Sequence, residues 1–182
     1  MVFLFFSCGK DPVDTPVKTP VAAKQKAEIF RSFFYSSDNT YDSIRYRSGD
    51  GAVVVSSVKE EGQARFVFTV PFPAGRDFVS FRMDATALAA GNSYAFTAGG
   101  AGQPVAVEYH YAMDTGTGNL FFPGSASGVL TISRYDRNSG TIAGDLQLAI
   151  HTAYDPTRRP GAEPRQTVIT VSCQFEDVSV PK

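Results

Sequence analysis

Residues 141–153 read TIAGDLQLAIHTA, and their apolar and polar positions alternate. Ile142, Gly144, Leu146, Leu148 and Ile150 share one face, and Ala143, Asp145, Gln147, Ala149 and His151 share the other. A period of two marks a β-strand, with successive side chains on opposite sides of a sheet. One oily face and one wet face are what an antiparallel strand shows when it covers a core on one side only.

The same period recurs outward from this stretch. Residues 64–70 set Phe66, Phe68 and Val70 against Arg65, Val67 and Thr69, and residues 77–84 set Val79, Phe81 and Met83 against Ser80 and Arg82. Residues 104–113 carry Val105, Val107, Tyr109, Tyr111 and Met113 on one face, with Glu108 and His110 on the other. Residues 166–180 close the chain with Ile169, Val171, Cys173 and Phe175 inward. Shorter runs rich in aromatic, Val, Ser and Thr residues occupy 28–36, 41–47, 52–59, 93–97 and 127–135, a composition that favours strands. In 41–47, Ile44 and Tyr46 oppose Arg45 and Arg47. Pro71 to Gly75 ends one run, residues 86–91 suit one helical turn stopped by Gly91, and 98–102, 114–127, 136–140 and 155–164 read as loops or turns. The expectation is an all-β domain over residues 27–182, an antiparallel β-sandwich or barrel of about eight to ten strands.

Composition narrows the function classes. The 182 residues carry 17 basic and 18 acidic side chains for a net charge of -1, which gives no footprint for nucleic acid. Hydrophobic residues make up 43%, enough for a packed core. Trp is absent, and 15 Phe and 8 Tyr supply the large apolar area instead.

The first residues differ in kind. MVFLFFS (1–7) is apolar, far shorter than the ~20 residues a spanning helix needs, and suits the remnant of a signal peptide. Residues 8–26 carry Pro12, Pro16 and Pro20 among Asp, Thr and Lys, the composition of an extended, solvated tether. The segment Leu4-Phe5-Phe6-Ser7-Cys8-Gly9 resembles a bacterial lipobox, with Phe5 where Leu is usual. That resemblance implies a diacylglyceryl thioether on Cys8, cleavage before it and acylation of the new amino terminus. Several acyl chains on one residue give stable anchoring. Lys10-Asp11 resembles the charged export tag of Bacteroidetes surface lipoproteins.

A second resemblance covers residues 86–180. Residues 127–136 (SGVLTISRYD) lead through a short turn to 141–148 (TIAGDLQL), and the last strand ends Phe175-Glu176-Asp177-Val178. Residues 88–94 (LAAGNSY) form a further turn. The pattern resembles a group of uncharacterised Bacteroidetes lipoproteins, with Ala143 in place of Ser, Leu146 in place of Phe, and Ser172-Cys173-Gln174 in place of Gly. The resemblance implies a β-rich, lipid-anchored domain and brings no catalytic residues.

Catalytic and metal motifs are weak. His110 and His151 have no close-spaced partner ligand, so no metal site is expected. Gly124 to Gly128 has Ala126 where a nucleophile elbow needs Ser. Glu108, Asp145, Glu176 and Asp177 are the strand-borne acids available for glycosidic cleavage, with nothing local to fix their separation. Cys173 reads as a buried thiol. Aromatic residues give the positive hint: Tyr109, Tyr111, Phe121 and Phe122 are the candidates for stacking on a sugar or anchoring a protein. The expected protein is a non-catalytic binding or structural module at the outer membrane, on its periplasmic face or the cell surface. Its partners are the membrane, through the lipid, and a glycan or protein. No cofactor is expected. The alternative is a glycan- or ester-acting hydrolase.

Overall fold

A computed structural model describes residues 25–73, 75–97, 102–113, 120–121, 126–157 and 163–182, with backbone alone for 112, 113, 120 and 121. Cys8, the tether to residue 24, Phe122 and most of the loops at 98–101 and 114–119 lie outside the described residues. The strands are β1 (Lys26–Tyr35), β2 (Thr40–Arg47), β3 (Val54–Glu60), β4 (Gln63–Phe72), β5 (Gly75–Asp84), β6 (Asn92–Thr97), β7 (Val105–Met113), β8 (Leu120–Phe121), β9 (Ala126–Asp136), β10 (Thr141–Tyr154) and β11 (Gln166–Ser179). Every pairing is antiparallel. They form a six-stranded sheet, β2-β1-β11-β10-β9-β6, and a five-stranded sheet, β3-β4-β5-β7-β8. The antiparallel sandwich expected from the periodicity is therefore the fold. Ten strands are of full length, and β8 has only two residues.

Two short meanders build most of it: β3-β4-β5 in one sheet and β9-β10-β11 in the other. The first long strand then pairs with the last, Ile29 opposite Cys173 and Phe33 opposite Ile169. Four rings weld the two sheets. Phe68 on β4 and Phe81 on β5 meet Phe175 on β11, with centroids 5.4 and 5.6 Å apart, and Phe66 on β4 stacks on Phe81 at 4.8 Å. All four are buried, and each such ring withdrawn from water is worth about 1.5–3 kcal/mol.

The sequence pattern departs from the structure at irregularities. Ala143, expected on the wet face of β10, is buried without joining the core: it lines a groove beside Asp145, and β10 keeps its alternation between Ile142 and Leu146 while the register irregularity there places extra residues on β9 and β11. A second irregularity between Ile150 and Ala153 leaves His151 and Thr152 exposed and returns Ala153 to the core. On β11, Asp177 takes a left-handed φ of 54°, and Val178, not Asp177, is buried next. Pro71 does not end its strand: β4 runs on to Phe72, with Pro71 opposite Arg76. The expected loop at 114–127 contains β8, whose Phe121 pairs with His110 across the ladder. Residues 85–87 form a short 3-10 turn, and Gly91 follows at φ 81°.

Two strand glycines are fixed by close approach. A Cβ on Gly128 would lie 1.9 Å from the Gln147 carbonyl oxygen and 2.7 Å from the Phe96 ring. One on Gly144 would lie 2.1 Å from the Thr131 carbonyl oxygen and 3.0 Å from the Phe175 ring. The ladder has no room to give, so Gly128→Ala is expected to lower stability by about 1–3 kcal/mol in urea titration, as overpacking does. Gly49→Ala, where a Cβ meets nothing within 4 Å, is expected to change it by under about 0.5 kcal/mol.

Candidate functional site

The inner face holds two charges. Arg31 sits on β1 between Ile29 and Phe33, and Asp77 sits on β5 ahead of Val79; both point into the core. They form an ion pair from sheet to sheet, Nη1 donating to Oδ2, with side chains 9% and 5% exposed. Aromatic rings wall the guanidinium, with Phe33 at 4.7 Å, Tyr111 at 5.7 Å and Tyr46 at 6.0 Å from its centre. The Tyr109 hydroxyl lies beside the pair and interacts with both members. Burial works to discharge Arg31, but Asp77, Tyr109 and Tyr46 offset it and leave its pKa above the usual value. Burial likewise pushes the Asp77 carboxyl up, against the pull of Arg31 and Tyr109. Burial raises the Tyr109 pKa well above the ordinary phenol value.

This cluster takes two of the expected ligand-binding residues. Tyr109 and Tyr111 are 2% and 7% exposed. Tyr111 stacks on Phe72, with centroids 5.4 Å apart. These rings therefore line the ion pair rather than an open platform. Phe121 is described only as backbone in β8, and Phe122 lies outside the described residues. Arg31 and Asp77 were not among the expected site residues. Each is the lone charge in phase with the inward apolar residues of its strand, and the two have opposite sign, so the signal was present.

A second polar cluster extends from Tyr35. Its hydroxyl donates to Asp155 at 2.8 Å, and the Arg165 guanidinium lies 3.6 Å from its ring centre. Arg165 also pairs with Asp38 in the β1–β2 turn and donates to Thr40. Burial, then the Asp155 contact, pushes the Tyr35 hydroxyl up to about 12. These bonds pin the β10–β11 connection to the β1–β2 hairpin.

The remaining candidates are scattered. His110 is on the five-stranded sheet, edge-on to Phe78 at 4.9 Å, and its pKa is lowered by burial and by Arg76 against the effect of Glu108. His151 is exposed on the other sheet. No group of three His, Cys, Asp or Glu among the described residues suits a metal ion. Glu108 pairs with Arg65 at 3.0 Å and Asp177 with Arg134 at 2.5 Å. Cys173 is fully buried, and burial pushes its thiol far up, which keeps it from reacting.

The exposed chemistry gathers on the outer face of the six-stranded sheet. Strand register lines up one row, Arg47, Glu28, Gln174, Asp145, Thr131 and Ser93, and beside it a second, Arg45, Phe30, Ser172, Gln147, Val129 and Ala95. Glu28 accepts from Arg47 at 2.7 Å and pairs with Arg45 at 2.9 Å, which holds its carboxyl below the usual range. The Gln147 amide donates to Asp145 at 2.8 Å and to Ser172 at 2.9 Å. Arg45 lies 5.4 Å over the Phe30 ring, and Phe34 packs on Tyr41 at 4.7 Å. Tyr41 is 71% exposed. At the Lys26 end, Glu28, Arg47, Ser133, Asp145, Gln174 and Glu176 help line an open groove of about 650 Å³.

The chain matches no protein-family model, no curated protein and no solved structure. The site is therefore read from its own chemistry.

Removing one member of a desolvated pair strands the other. Asp77→Ala is expected to cost about 3–5 kcal/mol in urea titration. The double variant Arg31→Met/Asp77→Leu is expected to recover most of that loss, since an apolar replacement leaves no buried charge unpaired.

Proposed function

We propose that this chain is a lipid-anchored envelope protein of the Bacteroidetes type, held at the outer membrane through Cys8. Its sandwich is a non-catalytic module that takes a glycan or protein partner on the outer face of the six-stranded sheet. One observation carries the binding half: the side of that sheet nearest β2 joins exposed aromatic rings to charged and amide groups in register. Tyr41 stands in water beside Phe34, Phe30 lies under Arg45, and Ser32, Ser43 and Thr170 continue the polar surface between them. An exposed ring offers a flat apolar surface, and flanking polar groups offer hydrogen bonds, the combination used for sugars and for aromatic anchors of proteins. The inner aromatics and the buried charges are committed to cohesion, which leaves this face as the richest exposed chemistry among the described residues. The anchor half rests on the lipobox-like Leu4 to Gly9 and the Pro-bearing stretch after it.

The two halves are tested separately. Intact mass of the protein made in a Bacteroidetes host is expected to show loss of the residues before Cys8 and addition of acyl chains, and an unmodified Cys8 in the mature protein would contradict the anchor. For the face, the full chain is presented to immobilised cell-wall polysaccharides and to outer-membrane protein extract. Tyr41→Ala and Arg45→Ala are each expected to weaken capture by about tenfold, the effect of losing roughly 1.4 kcal/mol. Capture unchanged by both, or turnover of glycoside or ester substrates, would overturn a non-catalytic binding face there.

A further inference from the structure

Resting on that binding reading, we infer that the groove at the Lys26 end of the six-stranded sheet is a subsite for an uncharged sugar. Its volume, about 650 Å³, suits a small ligand rather than a macromolecule. Its acids Glu28, Glu176 and Asp145 are balanced by Arg45, Arg47 and Lys26, so the site draws in neither sign of ion. Glu28 is held by Arg45 and Arg47 and Glu176 by Lys26 at 3.2 Å, while Asp145 takes the neutral Gln147 amide. An arriving anion would have to take a cation from its carboxylate. A hydroxyl need not. An ionised carboxylate has about four acceptor sites and a guanidinium five donors, so each paired group keeps capacity for a donor–acceptor ligand.

The layout suits a polyol in a second respect. Gln174, which both donates and accepts, stands in register between Glu28 and Asp145. Those two positions are two strand spacings apart, about 10 Å at ~4.8 Å per spacing. A polyhydroxy ring laid over Gln174 meets an acceptor at each side and a mixed amide beneath. Ala143, beside Asp145 in the lining, gives the ring's C–H face an apolar neighbour, and the adjoining row with Arg45 over Phe30 continues the face from the groove toward the Tyr41 corner.

The experiment uses the full chain on an array of neutral oligosaccharides of glucose, mannose, galactose and xylose, beside acidic ones carrying uronic acid or sulfate. Neutral sugars are expected to bind. Gln174→Ala and Asp145→Ala are each expected to weaken that binding about tenfold or more, as loss of hydrogen bonds from a polar site does. Ser133→Trp, which fills the groove from β9, is expected to abolish it. Thermal melts of all three variants like that of the parent keep a folding defect from counting as support. Binding of acidic glycans alone, or neutral binding untouched by all three variants, overturns the groove assignment while the wider binding face survives. Neutral binding lost in Tyr41→Ala but kept in the groove variants has the same meaning. No glycan bound, with capture of a protein partner intact, overturns the sugar subsite. Neither a glycan nor a protein captured overturns the subsite and the binding face together.

Discussion

The contact between Arg31 and Asp77 constrains everything around it. Two unlike charges on facing sheets are withdrawn from water, and neither is tolerable without the other. That requirement fixes where β1 lies over β5. It also explains why so many rings gather there: Phe33, Tyr46 and Tyr111 offer their faces to a cation that water no longer reaches. A slip of either strand by one residue would turn its charge outward and bring an outward side chain into the core. The pair adds little net stability over an apolar core. What it adds is a constraint on register, since a slip of either strand leaves the other charge buried without its partner.

This division of labour shapes the functional reading. Aromatic residues are numerous, and many of them are spent inside, on the Phe66–Phe68–Phe81–Phe175 cluster and around the ion pair. Among the described residues the most exposed ring is Tyr41, at the β1–β2 side of the six-stranded sheet, followed by Tyr154 on β10 of the same sheet. There the register of four strands, rather than any local motif, brings Arg47, Glu28, Gln174 and Asp145 into a row. A site made this way has residues some 150 positions apart and no signature within any one strand.

That is also why the fold was more legible than the site. Period-two alternation in residues 64–70, 77–84, 141–153 and 166–175 named inward residues such as Phe66, Phe81, Leu146 and Cys173 correctly, because burial acts on each strand independently. The misreadings fell where one residue breaks phase. After Ile150 an irregularity exposes His151 and Thr152 and returns Ala153 to the core, and past Phe175 a left-handed Asp177 sets Val178 inward. Tyr109 and Tyr111 were placed on the right face of β7, but a strand cannot say whether its apolar face meets a ligand or a second sheet. Which strands become neighbours depends on sheet order, and sheet order alone set Glu28 beside Arg47 and two strands from Asp145.

The most direct test of the clamp is the exchange of the arginine side-chain N–H protons, followed by nitrogen-resolved NMR on the intact protein at neutral pH. Arg31, its side chain 9% exposed and bound to Asp77, is predicted to exchange far more slowly than Arg45 and Arg47, whose side chains are 52% and 56% exposed. Equal exchange rates for all three would mean that the guanidinium is open to water and that the two sheets are held together some other way.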